Sequence, residues 1–399
     1  MRYLVLIASI AIQICLGGVY AWSNFVKPLE SDYGLSNSQT QLIFGVTILT
    51  FTIAMVGAGQ ILRRTGPRPV AMIGGVLFAG GYLLASVSGG SFFLLLLGIG
   101  IIVGSGIGFG YVCPLSTCVK WFPNNKGLVT GLAVAGFGAG AILLAEISEA
   151  MLLSGLDVLK VFQWVGIAYG VVVVVSAAGL SVPKGTETGA ASASAIEHTF
   201  LQVVRSPVFW ALVIGMFSGT FAGLMVVGNL KTIGLDSGIA EKMATMAIVA
   251  YAIGNAAGRI SWGALNDKLG FRAVPLSLGF LGLSLVGLLF AGDSAWPFVN
   301  ISLVVGFGFG ACFVVYASEV AHRFGPDRVA TIYPLIFLAY GISGLAGPGV
   351  GGAIYDATQQ YGPAIWTSIG VVAGGLILSV LLGARQTRAE AAAAAAETS

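Results

Sequence analysis

One arginine, Arg259, stands inside an otherwise apolar stretch of the chain, and it is the residue whose chemistry asks for an explanation first. Burying a guanidinium in a membrane-like interior costs at least about 2.5–3.5 kcal/mol, so a compensating partner is expected. Its planar fork matches a carboxylate, which points to a small anionic ligand. Asn255 and Tyr251 precede it by four and eight residues, so a helix would carry all three on one face. Tyr20 and Asn24 repeat the spacing of four in another apolar stretch, and Tyr111, Tyr316 and Tyr340 offer further hydroxyls for a carboxylate oxygen or a substrate hydroxyl. The competing reading is structural. Arginine can snorkel to an interface, asparagine can tie helices together, and tyrosine can pack at a helix contact or headgroup belt.

A site that binds an anion together with a proton also needs a carboxyl whose affinity for a proton changes with burial and nearby charge. Asp236 is the first candidate and Glu146 the second, with Glu149 and Glu319 also near apolar stretches. Asp236 also reads as a plain helix N-cap, like Ser36 two hundred residues earlier. Glu319 and Arg323 are spaced as an i,i+4 pair, which suggests a gate or a structural contact. Enzyme chemistry finds no support: His198 and His322 lie in connecting segments, and no nucleophile or metal-ligand spacing accompanies them. Neither a cofactor nor a metal is expected.

The elements that must position these groups follow from composition. Hydrophobic residues make up 57% and charged residues 9%, against about 25% charged in soluble domains. The expected solvent is therefore a lipid bilayer, and the 59 glycines suit helices that approach closely within it. A net charge of +3, with no basic cluster, argues against a nucleic-acid partner. The four cysteines sit in apolar runs and predict no disulfide framework. Twelve runs are long enough to cross about 30 Å of hydrocarbon. Spans 1 to 6 cover about 4–26, 39–62, 70–87, 92–119, 128–151 and 161–180, and spans 7 to 12 cover about 208–230, 241–265, 273–291, 296–320, 329–352 and 363–383. The first run is too long for a signal peptide and lacks a cleavage site. This predicts an all-α membrane protein with a six-helix bundle at 1–180, a polar linker at 181–207, a second bundle at 208–383 and a tail at 384–399. Of the 19 lysines and arginines, fourteen fall on the side shared by both termini, four on the other, and Arg259 on neither. The positive-inside rule then puts both termini in the cytoplasm of a cell (inner) membrane protein.

The halves also repeat. Gly34-Leu35-Ser36 returns as Gly234-Leu235-Asp236, and Gly106-x-Gly108-x-Gly110 as Gly306-x-Gly308-x-Gly310. Gly59, Arg63, Arg64, Gly66 and Arg68 are answered by Gly263, Asp267, Lys268, Gly270 and Arg272. That last pattern resembles the loop signature of the major facilitator superfamily, G-x-x-x-D-R/K-x-G-R/x-R/K, with Arg63 in place of the usual acid. The resemblance implies a major facilitator fold, twelve helices in two pseudo-symmetric bundles that rock about a central cavity, with the loop motifs stabilising one gate state.

Gly-Gly-Val-Tyr-Ala-Trp at 17–22 and Asn255-x-x-Gly258-Arg259-x-x-x-Gly263 look like the monocarboxylate transporter and oxalate/formate antiporter branches. Oxalate-type antiporters carry a lysine in span 11 beside the span 8 arginine. That position aligns here with Tyr340, so one buried cation, not two, favours a monoanion. The expected function is secondary transport of small monocarboxylates of the lactate and pyruvate type, with proton symport, by a monomer. Anion exchange of the oxalate/formate type is the alternative, followed by a channel or a nutrient sensor.

Overall fold

The structure is a computed structural model that describes residues 1–183, 202–291 and 294–397. Most of the expected linker and the end of the tail lie outside the described residues. Within them the chain is helical, with no strand. Eleven apolar segments are long enough to cross a membrane. One, Lys242–Leu289, holds two helices parted by a 3-10 turn at Gly270–Arg272, which brings the spans to twelve.

Span 1 is α-helical over Arg2–Gly17, tightens to 3-10 over Gly18–Trp22 and resumes over Ser23–Tyr33. Spans 2 and 3 are Asn37–Thr65 and Pro67–Ser86. Span 4 starts at Phe92, widens to a π-helix at Leu96–Val103 and continues as Gly104–Trp121. Spans 5 and 6 are Lys126–Leu153 and Val158–Ala178. Spans 7, 8 and 9 are Pro207–Asp236, Glu241–Leu269 and Ala273–Leu289. Span 10 is Ala295–Gly310, a 3-10 turn at Ala311–Phe313, then Val315–Arg323. Spans 11 and 12 are Val329–Thr358 and Gly362–Glu397. The last helix outruns the expected end because its tail is mostly alanine, the best helix former.

Contacts divide the chain into two compact units, Met1–Thr188 with Val320–Gly341, and Gly189–Glu319 with Ile342–Ser399. In the second unit, glycines set the spacing between spans 8 and 10. A Cβ on Gly254 would overlap the Leu303 carbonyl, one on Gly258 the Phe307 carbonyl, and one on Gly306 the Tyr251 carbonyl. One on Gly310 would sit 2.5 Å from the Asn255 carbonyl oxygen and 2.9 Å from the Arg259 nitrogen. Each helix thus contributes two glycines four residues apart, and backbone meets backbone. The contacts advance in the same direction along both helices, so the pair is parallel.

The first unit repeats this joint between spans 2 and 4, but two residues out of the expected step. Gly104 and Gly108 meet the carbonyls of Thr47 and Phe51, whereas Gly106 faces span 3 at Phe78 and Gly74. The structural partners of Gly306 and Gly310 are therefore Gly104 and Gly108, not Gly106 and Gly110. A two-residue shift turns a helix by about 200°, so the pattern-matched glycines face the wrong neighbour.

A second correction concerns Asp236. Gly34 ends span 1 at φ 70°, and Ser36 caps span 2 in a reciprocal capping box with Gln39. Gly234, by contrast, is inside span 7, which runs on to Asp236. Its turn glycine is Gly238 at φ 78°, and the N-cap of span 8 is Ala240, which makes no side-chain cap. Gly34-Leu35-Ser36 thus corresponds to Gly238-Ile239-Ala240, and Asp236 is not an N-cap.

The glycine joint predicts a position-specific response to alanine. Gly254→Ala should cost about 1–3 kcal/mol through overpacking. Gly349→Ala in span 11, where a Cβ meets nothing within 4 Å, should gain up to about 1 kcal/mol from helix propensity. Thermal melts in one detergent compare the two, and equal shifts would contradict the joint.

Candidate functional site

Arg259 is 1% exposed, so its charge is fully withdrawn from the surface of the second unit. Its Nε donates to Oδ1 of Asn255 at 2.9 Å, and its guanidinium carbon lies 4.3 Å from the centroid of the Phe313 ring. A long helical side chain leans towards the helix N-terminus, and the bond to residue 255 follows that lean. The head group thus points away from the Asp267 end of span 8, opposite to the direction snorkelling to that end would need. A desolvated cation over an aromatic face gains about 2 kcal/mol, which offsets part of the burial cost. Phe313 sits in the 3-10 turn of span 10 just beyond Gly310, so the glycine contact that joins the helices also brings the ring to the arginine.

Asn255 is buried, and its Nδ2 has no hydrogen-bond partner among the described residues. Its carbonyl orients Arg259 while its amide keeps a donor beside the same spot. Tyr316 is fully buried too, its hydroxyl without a hydrogen-bond partner among the described residues, and it lies against Gly215 of span 7. Tyr251 differs: its hydroxyl donates to the Gly223 carbonyl at 3.0 Å, a tie between spans 7 and 8.

In the first unit the structure brings Tyr20, Tyr111 and Tyr340 into one aromatic cluster with Phe51, Phe137 and Phe337. The hydroxyls of Tyr20 and Tyr340 hydrogen-bond to each other. Tyr111 stacks on Phe337 at 5.4 Å and meets Phe51 and Phe137 edge-on at 5.1 and 5.3 Å. Gln13 donates to the Tyr111 carbonyl from span 1. Asn24 lies elsewhere: its amide donates to the Ala145 carbonyl and to Ser148 on span 5. That is a helix tie, and the 3-10 turn before it breaks the regular α-helical phase from which a shared face with Tyr20 follows.

Sequence reasoning passed over Phe313, Phe51, Phe137 and Phe337 because a phenylalanine in an apolar run carries no polar signal. The glycine spacing was the available clue, since Phe51 lies on the repeat joint and Phe313 three residues past Gly310.

Asp236 and Glu146 are both exposed. Among the described residues the buried acid is Glu319, 1% exposed. No group of three or more metal-ligating side chains occurs among the described residues.

In the gate motifs, Gly66 at φ 82° and Gly270 at φ 55° close spans 2 and 8 in the same way, 204 residues apart. Arg63, Arg64 and Lys268 lie in the last turns of those helices, where a cation complements the helix dipole. Arg68 donates to the Leu180 carbonyl at 2.6 Å, tying the turn to the end of span 6. Gly59 is pressed against the Ala330 carbonyl of span 11, while Gly263 is buried and Arg272 exposed. Sequence reasoning also missed an ion pair, Lys120 Nζ to Asp327 Oδ1 at 2.7 Å, beside a bond from Lys126 to the Ala321 carbonyl at 3.3 Å. Asp327 is 61% exposed, so the pair contributes about 0–1 kcal/mol.

Comparison with known proteins agrees with this architecture. A family model described as the Major Facilitator Superfamily matches residues 8–348 and 224–398. An Escherichia coli (strain K12) protein named uncharacterized MFS-type transporter YhjX is 32% identical over 86% of each chain. The oxalate:formate antiporter of Oxalobacter formigenes is 26% identical over 88% of this chain and 85% of its own, and human monocarboxylate transporter 11 is 25% identical over 88% and 75%. The solved structure of the transporter FucP superposes with a TM-score of 0.73 at 17% identity, covering 95% of this chain and 99% of that one. This chain belongs to the Major Facilitator Superfamily and is a multi-pass membrane transporter of that family.

Proposed function

We propose that the transporter carries small monocarboxylates of the lactate and pyruvate type together with protons. It does so by alternating access of two six-helix bundles, 1–180 and 208–383, as a monomer in the cell (inner) membrane with both termini cytoplasmic. The observation that carries this reading is the buried Arg259, held by Asn255 and Phe313 with its charge inside the protein. Burying a guanidinium is costly, and a carboxylate presents two oxygens to its fork. Where a second cation would be needed to hold a dianion the chain has Tyr340, its hydroxyl on Tyr20. A second desolvated carboxylate would go unpaired at a cost of several kcal/mol. Relatives named for monocarboxylate transport support the substrate class.

Anion exchange is the second reading, favoured by the likeness to a protein named oxalate:formate antiporter. The two differ in their driving force. In proteoliposomes, an inside-alkaline pH gradient should accumulate labelled lactate. If flux ignores the gradient and requires a carboxylate on the opposite side, exchange replaces symport. Flux that does not saturate indicates a channel, and binding without flux a sensor.

A substitution at Tyr340 tests the charge argument. Tyr340→Lys should improve inhibition by oxalate relative to lactate by about tenfold, equivalent to about 1.4 kcal/mol. An unchanged ratio in a folded variant would remove Tyr340 from the selectivity.

A further inference from the structure

The buried face of span 8 stays polar past the arginine. Asn255, Arg259, Trp262 and Asn266 fall within about 60° of one another around the helix, and each is at most 7% exposed. On the Asp267 side of Arg259, the Trp262 ring packs against Phe280 of span 9 at 5.8 Å and Phe307 of span 10 at 6.3 Å, and neither ring offers a lone pair to the indole N–H. Nε1 of Trp262 and both Oδ1 and Nδ2 of Asn266 have no hydrogen-bond partner among the described residues, and neither has Nδ2 of Asn255.

A polar atom left unpaired in a dry interior costs about 1–3 kcal/mol, so four along one helix face would weigh heavily on the fold. Buried water is the usual remedy where side chains of both hydrogen-bonding senses converge. Trp262 and Asn266 meet that condition, with a donor on one and a donor and an acceptor on the other. Side chains four residues apart on a helix have Cβ atoms about 5–6 Å apart, the distance that one water bridges with two bonds of about 2.8–3.0 Å. We propose that the second unit holds an internal hydration site between Trp262 and Asn266, where span 8 faces spans 9 and 10. One water accepts from the indole N–H and donates to Oδ1 of Asn266, and Nδ2 of Asn266 donates to a second. The site extends the polar surroundings of Arg259 by about 10 Å along span 8. Water held there lowers the cost of a guanidinium whose own surface is closed to solvent. The site stands apart from the transport reading, since it needs no particular anion on Arg259.

X-ray-generated hydroxyl radicals oxidise side chains beside ordered internal water, and the chain contains its own control. Trp22 is as buried as Trp262, at 5% against 3% exposed, but its Nε1 donates to the Thr40 carbonyl at 3.1 Å. In the intact protein in detergent, mass spectrometry should find Trp262 oxidised about tenfold faster than Trp22. A bulky benzyl halide that alkylates indoles should leave both unmodified. Asn266→Leu, with a thermal melt to confirm folding, should bring Trp262 down to the Trp22 rate. Equal oxidation of the two tryptophans in the unmodified protein would overturn the site without recourse to any variant. Alkylation of Trp262 would also overturn it, by showing an opening to bulk solvent, as would unchanged Trp262 oxidation in a folded Asn266→Leu protein.

Discussion

A desolvated guanidinium is the constraint around which the second unit is arranged. Arg259 has almost no exposed surface through which water could stabilise it, so the protein must supply polar and aromatic partners. Asn255 supplies an acceptor one turn away on the same helix, and Phe313 supplies a ring face from span 10. A guanidinium oriented in a low-dielectric interior attracts an anion more strongly than one at the surface. Under the proposed function a carboxylate is the ligand, because its two oxygens match the guanidinium fork.

The backbone geometry that meets this constraint comes from glycine. Phe313 reaches the guanidinium because spans 8 and 10 touch through Gly254, Gly258, Gly306 and Gly310, and the last of these abuts the Arg259 nitrogen itself. Larger side chains would force the helices apart and take the ring with them. In the first unit the same joint, Gly104 and Gly108 of span 4 packed against span 2, carries Phe51 where the second unit has Asn255.

Much of this was legible in the chain. Twelve apolar runs gave the helices, and Arg259 with Asn255 was found from the isolation of one charge and a spacing of four. The gate glycines Gly66 and Gly270 appear at matching turns because only left-handed backbone closes both helices there. What escaped was phase. Identity of letters at an offset of 200 matched Gly234 to Gly34 and Gly106 to Gly306, whereas the helices repeat at 204 near the turns and 202 along span 4. Apolar ring partners escaped because nothing distinguishes Phe313 from other phenylalanines until its neighbours are known. Long-range ties such as Lys120 to Asp327 escaped because they join the end of span 4 to the 3-10 turn before span 11, about two hundred residues away. The exposure of Asp236 and Glu146 is likewise a property of neighbours, not of spacing.

The central claim is that Arg259 is a carboxylate anchor and not a structural cation. Equilibrium binding of lactate to Arg259→Lys and Arg259→Gln, each with a thermal melt to confirm folding, tests it directly. Lysine keeps the charge but loses the fork, and glutamine loses both. Removing a buried charge-assisted contact should cost about 2–5 kcal/mol, which is a loss of about thirtyfold or more in affinity for glutamine, with a clear loss for lysine as well. Unchanged lactate affinity in a well-folded Arg259→Gln protein would contradict the account.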